Sequence, residues 1–122
     1  MLLHLRSNPV LVVEDHPDVL AVIHTALECE GYPAVCAPSA GTALSVLGKM
    51  ERPGLILLDE QLADTSHERF LERVRQEPAL SSVPVVLLTV QSGHSGLQVQ
   101  AVLRKPFRLD ELLATVEAHR QE

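Results

Sequence analysis

Leu55-Ile56-Leu57-Leu58-Asp59 is a run of four aliphatic residues closed by a carboxylate, and it follows directly on the chain break Pro53-Gly54. A run that is apolar on both faces suits a strand in the middle of a parallel sheet, covered above and below. A carboxylate at the carboxyl end of such a strand stands where open α/β sheets gather their chemistry. The pattern repeats on either side of this segment.

Upstream, Val10-Leu11-Val12-Val13 is a first strand ending in Glu14-Asp15. Pro17 falls at the first turn of a helix, where its missing N–H is tolerated. Val19, Leu20, Val22, Ile23, Ala26 and Leu27 follow at the spacing of one apolar face, and Gly31 is placed to close that helix. Ala34-Val35-Cys36-Ala37 reads as a short second strand. Ser39 is a good N-cap for a helix burying Ala43, Leu44 and Leu47.

Downstream, Ser66 to Gln76 reads as a helix with Phe70, Leu71 and Val74 inward. Val85-Val86-Leu87-Leu88 is another fully apolar strand, ending at Thr89. The segment from Gln91 to Gly96, Gln-Ser-Gly-His-Ser-Gly, has loop composition and no helical period. Ala101-Val102-Leu103 is a last strand, ending at Arg104-Lys105-Pro106. Leu109, Leu112, Leu113 and Val116 give a closing amphipathic helix.

Alternating strands and helices imply an α/β domain, a parallel sheet covered on both faces through right-handed crossovers. With five strands, the leading architecture is a three-layer αβα flavodoxin-like fold of order 2-1-3-4-5. The 122 residues fit one domain over 1–122, with a core of about 9–120. No internal repeat, low-complexity tract or linker interrupts it.

Bulk composition narrows the function. Hydrophobic residues make up 46% and charged residues 21%, an ordinary globular balance. Aromatics reach only 2%, so the core is aliphatic and modules that stack bases on aromatic rings are disfavoured. The net charge of −6 repels DNA phosphates and anionic lipid, so neither direct nucleic-acid binding nor membrane contact is expected. Cys29 and Cys36 form no CxxC pattern and suit two small apolar residues in a reducing cytosol. Met1 to Arg6 is too short and polar for a signal peptide, and no run approaches a membrane span, which points to the cytoplasm. His4, His16, His24, His67, His94 and His119 show no close metal-ligand spacing and are expected at the surface or in loops.

The chemistry concentrates at strand ends. Glu14-Asp15, Asp59, Thr89 and Lys105 each close a strand, and a parallel sheet brings those ends to one edge. Three carboxylates, a hydroxyl and an ammonium would then converge in one shallow pocket. Three carboxylates repel one another unless a hard divalent cation with oxygen ligands, Mg²⁺ above all, joins them. With Lys105 as a positive point charge and Thr89 as a hydroxyl donor, the set suits a transferred phosphoryl group. A carboxylate can serve as nucleophile and form an acyl phosphate.

At this point the sequence resembles the receiver domains of two-component response regulators, the CheY-like family, from Val10 to about Val116. Four ordered motifs carry the resemblance: Glu14-Asp15, Leu55-Ile56-Leu57-Leu58-Asp59, Val85-Val86-Leu87-Leu88-Thr89 and Lys105-Pro106-Phe107. The steps of 44 residues from Asp15 to Asp59 and 30 from Asp59 to Thr89 match the family's spacing. The resemblance implies that Asp59 is the phosphoacceptor. It implies that Asp15, helped by Glu14 through water, binds Mg²⁺ together with Asp59 and the backbone carbonyl of Gln61. Lys105 would pair with the phosphoryl group, Thr89 would swing toward it, and the Lys105-Pro106 peptide bond would be cis. Implied partners are a sensor histidine kinase or histidine phosphotransfer protein and a downstream effector protein, and a homodimer is compatible with the family. The implied activity is that of a phosphoacceptor signalling domain and not of an enzyme.

Four features depart from the family. Thr89 to Lys105 spans 16 residues, about six fewer than usual, a loss of more than one helical turn where the fourth helix belongs. That helix is expected to be short or replaced by a loop, which alters the face it forms with the fifth strand and the last helix. Val102 stands where the family usually has Tyr or Phe, so the aromatic readout of the switch is missing. Val90, following Thr89, is bulkier than the usual Ala, Gly or Ser and should narrow the pocket, slowing phosphotransfer and lengthening the life of the phosphoryl group. The loop Glu60-Gln61-Leu62-Ala63-Asp64 lacks the customary Pro and Gly, and Gln61 and Gln91 would flank the phosphoryl site.

Each residue also has an ordinary reading: Asp59 as a loop carboxylate, Glu14, Asp15 or Asp18 as helix caps, Thr89 as a strand residue, Lys105 as a surface charge. Their coincidence at four strand ends outweighs those readings. The alternative function is a pseudo-receiver, a binding module that keeps the pocket without depending on phosphorylation. A flavodoxin would have to bind phosphate after the first strand, where Glu14, Asp15 and Asp18 repel it. A haloacid-dehalogenase-like phosphatase would need a second Asp at position 61, which is Gln.

Overall fold

A computed structural model of the chain describes residues 8–91 and 99–121. Along them run β1 (Val10–Val13), α1 (Pro17–Cys29), β2 (Ala34–Ala37), α2 (Ala40–Leu47), β3 (Leu55–Asp59), α3 (His67–Gln76), β4 (Val85–Thr89), β5 (Ala101–Arg104) and α4 (Leu109–His119). The strands pair in parallel throughout, in the order β2-β1-β3-β4-β5. This is the flavodoxin-like order, with β3 in the middle and every one of its residues buried.

The local signals act as the residue chemistry requires. Pro17 opens α1, and Gly31 follows the C-cap Glu30 with φ +86°, a left-handed conformation that costs glycine least. The Ser39 hydroxyl accepts from the Thr42 N–H at the start of α2, and Ser66 accepts from Arg69 at the start of α3. Gly54 is needed for a different reason. Its N–H donates to Pro9 and its carbonyl accepts from Gln121, so close that a Cβ would lie 2.2 Å from the Gln121 carbonyl oxygen.

Strand alternation divides the core into two layers. Leu11, Val13, Ile56, Leu58, Val85 and Leu87 face one side and pack with Ala43 and Leu47 of α2 and Phe70 and Val74 of α3. Val10, Val12, Leu55, Leu57, Val86 and Leu88 face the other and pack with Ile23 and Leu27 of α1 and Leu112 and Val116 of α4. Burial of this aliphatic surface on both faces is the main stabilising contribution.

Several sequence expectations need correction. His67, expected at the surface, is buried, because it lies three, four and seven residues before Phe70, Leu71 and Val74 and so falls on their stripe. Val22 is 52% exposed, since it sits about 100° around α1 from the buried Ile23. Leu109 is 45% exposed at the first position of α4. His16 and His24 are exposed and His119 is half-buried; His4 and His94 lie outside the described residues. So do Met1–Arg6 and Ser92–Gly96, and with them most of the expected loop and the question of a shortened fourth helix. Cys29 is exposed and Cys36 half-buried; both are free thiols. Among the described residues no helix is long and apolar enough to cross a membrane.

Candidate functional site

The carboxyl ends of β1, β3, β4 and β5 meet at one edge because the strands are parallel and nearly in step. Val13 pairs with Leu58, Asp59 with Leu88 and Thr89 with Arg104. Glu14, Asp59 and Thr89 are buried there, and Asp15 and Lys105 are partly exposed beside them. The sequence-selected carboxylates do converge: Glu14, Asp15 and Asp59 each offer an oxygen within 4.8 Å of the other two. Lys105, which follows β5, reaches in between. Its Nζ lies 2.9 Å from Glu14 Oε1 and 3.3 Å from Asp59 Oδ1. The Lys105-Pro106 peptide bond is cis.

Backbone donors fix these side chains. The His16 N–H donates to Glu14 Oε2 (3.1 Å), the Gln61 N–H to Asp59 Oδ1 (3.3 Å) and the Ala63 N–H to Asp15 Oδ2 (3.1 Å). His16 is the N-cap residue of α1 and its own side chain makes no cap hydrogen bond, while Glu14 accepts the His16 N–H at the start of the helix. Gln61 and Gln91 are exposed, and the hydrogen bonds that tie them to the site come from their backbone N–H groups.

The electrostatics favour a bound cation. Burial raises the pKa of Glu14 above 4.5, the adjoining Asp59 carboxylate adds to this, and Lys105 opposes it. Burial disfavours the Lys105 ammonium, but Glu14 and Asp59 outweigh that and its pKa rises above 10.5. Among the described residues, the Lys105 ammonium alone pairs with this set and leaves the three carboxylates undercompensated. An all-oxygen set of this charge fits a hard divalent ion such as Mg²⁺.

Thr89 has other company. Its hydroxyl donates to the Glu60 carboxylate and accepts from the Gln91 N–H at 3.0 Å. The contact follows from register: Asp59 pairs with Leu88, so one step on places Glu60 beside Thr89. Period-two alternation then puts Glu60 and Thr89 on the α2–α3 side, with Leu58 and Leu87, and Asp59 on the α1–α4 side with Leu57.

Two residues of this edge were not singled out from sequence. From sequence Glu60 reads only as loop composition, although a carboxylate next to Asp59 is itself a signal. Asp64 spans to α2, where its Oδ1 and Oδ2 accept from the Ala40 (3.1 Å) and Gly41 (2.9 Å) N–H groups. Those bonds, led by the one from Gly41, lower the Asp64 pKa below 3.8. Val90 is 50% exposed and lines a groove with Val22, Phe107 and Leu109 next to Lys105, while Val102 is 43% exposed on β5.

Comparison with known proteins follows the same pattern. The family model described as the response regulator receiver domain matches residues 10–117. The chain is similar to the phosphate regulon transcriptional regulatory protein PhoB of Pseudomonas aeruginosa, 31% identical over 118 residues, covering 92% of this chain and 51% of that protein. It is similar to the nitrogen assimilation regulatory protein NtrX of Azorhizobium caulinodans, 33% identical over 122 residues, covering 91% of this chain and 26% of that one. It thus spans about half the length, or less, of these relatives. Among solved structures, the Vibrio cholerae chemotaxis protein CheY4 superposes with a TM-score of 0.86 at 23% identity, over 93% of this chain and 98% of that one.

Proposed function

This chain belongs to the response-regulator receiver-domain family, and from that premise we propose that it is a working phosphoacceptor, modified on Asp59 by a histidine kinase or a histidine phosphotransfer protein. The observation that carries the reading is the buried Asp59 carboxylate, with the Lys105 ammonium 3.3 Å away and the Glu14 and Asp15 carboxylates alongside.

In the proposed reaction an Asp59 oxygen attacks the phosphorus of a phosphohistidine. The new O–P bond forms as the P–N bond breaks, and its electron pair leaves on the imidazole nitrogen. Lys105 is already aimed at Asp59 and would pair with the incoming phosphoryl oxygens, while Thr89 would supply a hydroxyl donor to another. Glu14, Asp15, Asp59 and the backbone carbonyl of Gln61 would hold Mg²⁺, which when bound neutralises the carboxylates and the transferring group. The acyl phosphate adds about −1.5 to −2 charges at the edge of the sheet and biases the surrounding loops.

Residues 1–122 then act as one receiver unit in the cytoplasm, passing the signal to an effector by protein contact, without touching nucleic acid or membrane. The domain is a substrate for phosphorylation and at most assists its own modification and hydrolysis.

The test is incubation with acetyl phosphate and Mg²⁺ followed by intact-mass measurement. We expect one phosphoryl adduct that requires Mg²⁺ and is absent from Asp59→Asn. Folded wild-type protein that takes no adduct would leave the pseudo-receiver as the better reading.

A further inference from the structure

Thr89 gives its hydroxyl proton to a carboxylate other than Asp59. Its hydroxyl has one proton, and that proton goes to Glu60; its lone pairs take the Gln91 N–H. The arrangement is anchored in the backbone, since the Glu60 N–H donates to the Leu88 carbonyl at 2.9 Å and the β3–β4 register places the two residues side by side. Thr89 is 1% exposed, so water does not readily replace either partner. A hydroxyl donating to a carboxylate cannot also donate to a phosphoryl oxygen. Glu60 follows Asp59 in the chain with its side chain on the opposite side of the sheet edge, so a phosphoryl group on Asp59 opposes its charge at longer range, as a weaker second effect.

Resting on the phosphoacceptor reading above, we propose that Glu60 is a positioning residue that holds Thr89 in the unphosphorylated arrangement and competes with the phosphoryl group for its hydroxyl. Phosphorylation then acts twice: it offers Thr89 a more highly charged acceptor, and it repels the carboxylate that Thr89 must leave. The bound-off position of Thr89 sets a threshold that the incoming group has to overcome.

The experiment titrates beryllofluoride, a phosphoryl mimic, in Mg²⁺ against wild type, Glu60→Gln, Glu60→Leu, Thr89→Val and the double variant Glu60→Leu/Thr89→Val. The Thr89 methyl resonance is recorded before and after addition. A charge-assisted hydrogen bond is worth about tenfold in an equilibrium, so Glu60→Leu should bind the mimic about tenfold more tightly than wild type. Its Thr89 methyl signal, before any addition, should move toward the bound position. Glu60→Gln, which keeps an acceptor oxygen, should fall between the two. In the Thr89→Val background the gain from Glu60→Leu should shrink to the part due to charge alone, which the cycle isolates. A wild type that binds while the Glu60 variants bind equally well would overturn this inference alone. A gain undiminished by Thr89→Val would overturn it as well, because the effect would then bypass Thr89. Absence of binding in every folded variant would overturn both this inference and the phosphoacceptor reading.

Discussion

The two sides of the sheet's carboxyl edge are built differently. On the α1–α4 side, Glu14, Asp59 and Lys105 form a mutually engaged cluster in which two carboxylates share one ammonium, and each carboxylate also takes a backbone N–H. On the α2–α3 side, Thr89 donates to the Glu60 carboxylate, and the loop beyond them is tied down by Asp64 on α2. On the proposed phosphoacceptor reading, the first side is preorganised, with its charges already placed for a phosphoryl group, and the second stands in another arrangement that would have to change. That reading makes the first side the fixed element that captures the signal and the second the exchangeable contact that reports it.

Four measurements test that contrast. The largest effect is expected from Lys105→Met. Removing the ammonium leaves Glu14 and Asp59 without their common partner, and breaking such a buried pair costs about 3 kcal/mol in unfolding free energy. Mg²⁺ should restore more stability to this variant than to wild type in thermal melts, whereas the phosphoryl adduct should fall by about a hundredfold in initial rate. Equal Mg²⁺ responses would mean that the cation and Lys105 do not share the same carboxylates.

Thr89→Val comes next. Valine fills the same space but leaves the Glu60 carboxylate and the Gln91 N–H without the hydroxyl, so stability should fall by about 1–2 kcal/mol, while the rate of adduct formation drops about tenfold with the lost donor. If this variant lost as much stability as Lys105→Met, the second side would be as rigidly built as the first.

Asp64→Asn probes the anchor of the loop that carries Gln61. It should cost at most about 1 kcal/mol at neutral pH, because Asn keeps one acceptor oxygen while losing the charge and the second. The Asp64 pKa is lowered in the folded chain, so its contribution is fully present above 3.8 and is lost as the pH falls through the lower folded value. Denaturation curves of wild type and variant should therefore separate at pH 6 and converge at strongly acidic pH. A gap that persists in acid would remove the carboxylate from the explanation.

The smallest effect on stability belongs to Val90→Ala, within about 0.5 kcal/mol for so exposed a side chain. Both phosphorylation and dephosphorylation should nevertheless speed up, because two methyl groups leave the mouth of the pocket beside Lys105. Unchanged rates would show that Val90 is no barrier.

Much of this protein was legible before any coordinates. The apolar runs at Val10, Leu55 and Val85, the capping residues Ser39 and Ser66, and the Gly31 stop depend on contacts within a few residues, which sequence spacing encodes directly. The parallel sheet then carried Glu14, Asp15, Asp59 and Lys105 to one edge with no further assumption. Burial of His67 is legible in its position, which continues the stripe of Phe70, Leu71 and Val74, and not in its residue type, which suits the surface. The exposure of Val22 and Leu109 was not, because how wide an arc of a helix the sheet covers depends on how the layers meet.

Sequence by itself determined the order of elements, the central place of β3 and the identity of the clustered charges, for strand alternation, helix period and carboxyl-end placement are local rules. Only the tertiary structure decided that Thr89 gives its proton to Glu60, that Asp64 caps a helix across the chain, and that Lys105 lies between Glu14 and Asp59. Those pairings join residues 23 to 91 positions apart. Interstrand register and the packing of distant segments fix such contacts, and no spacing along the chain records them.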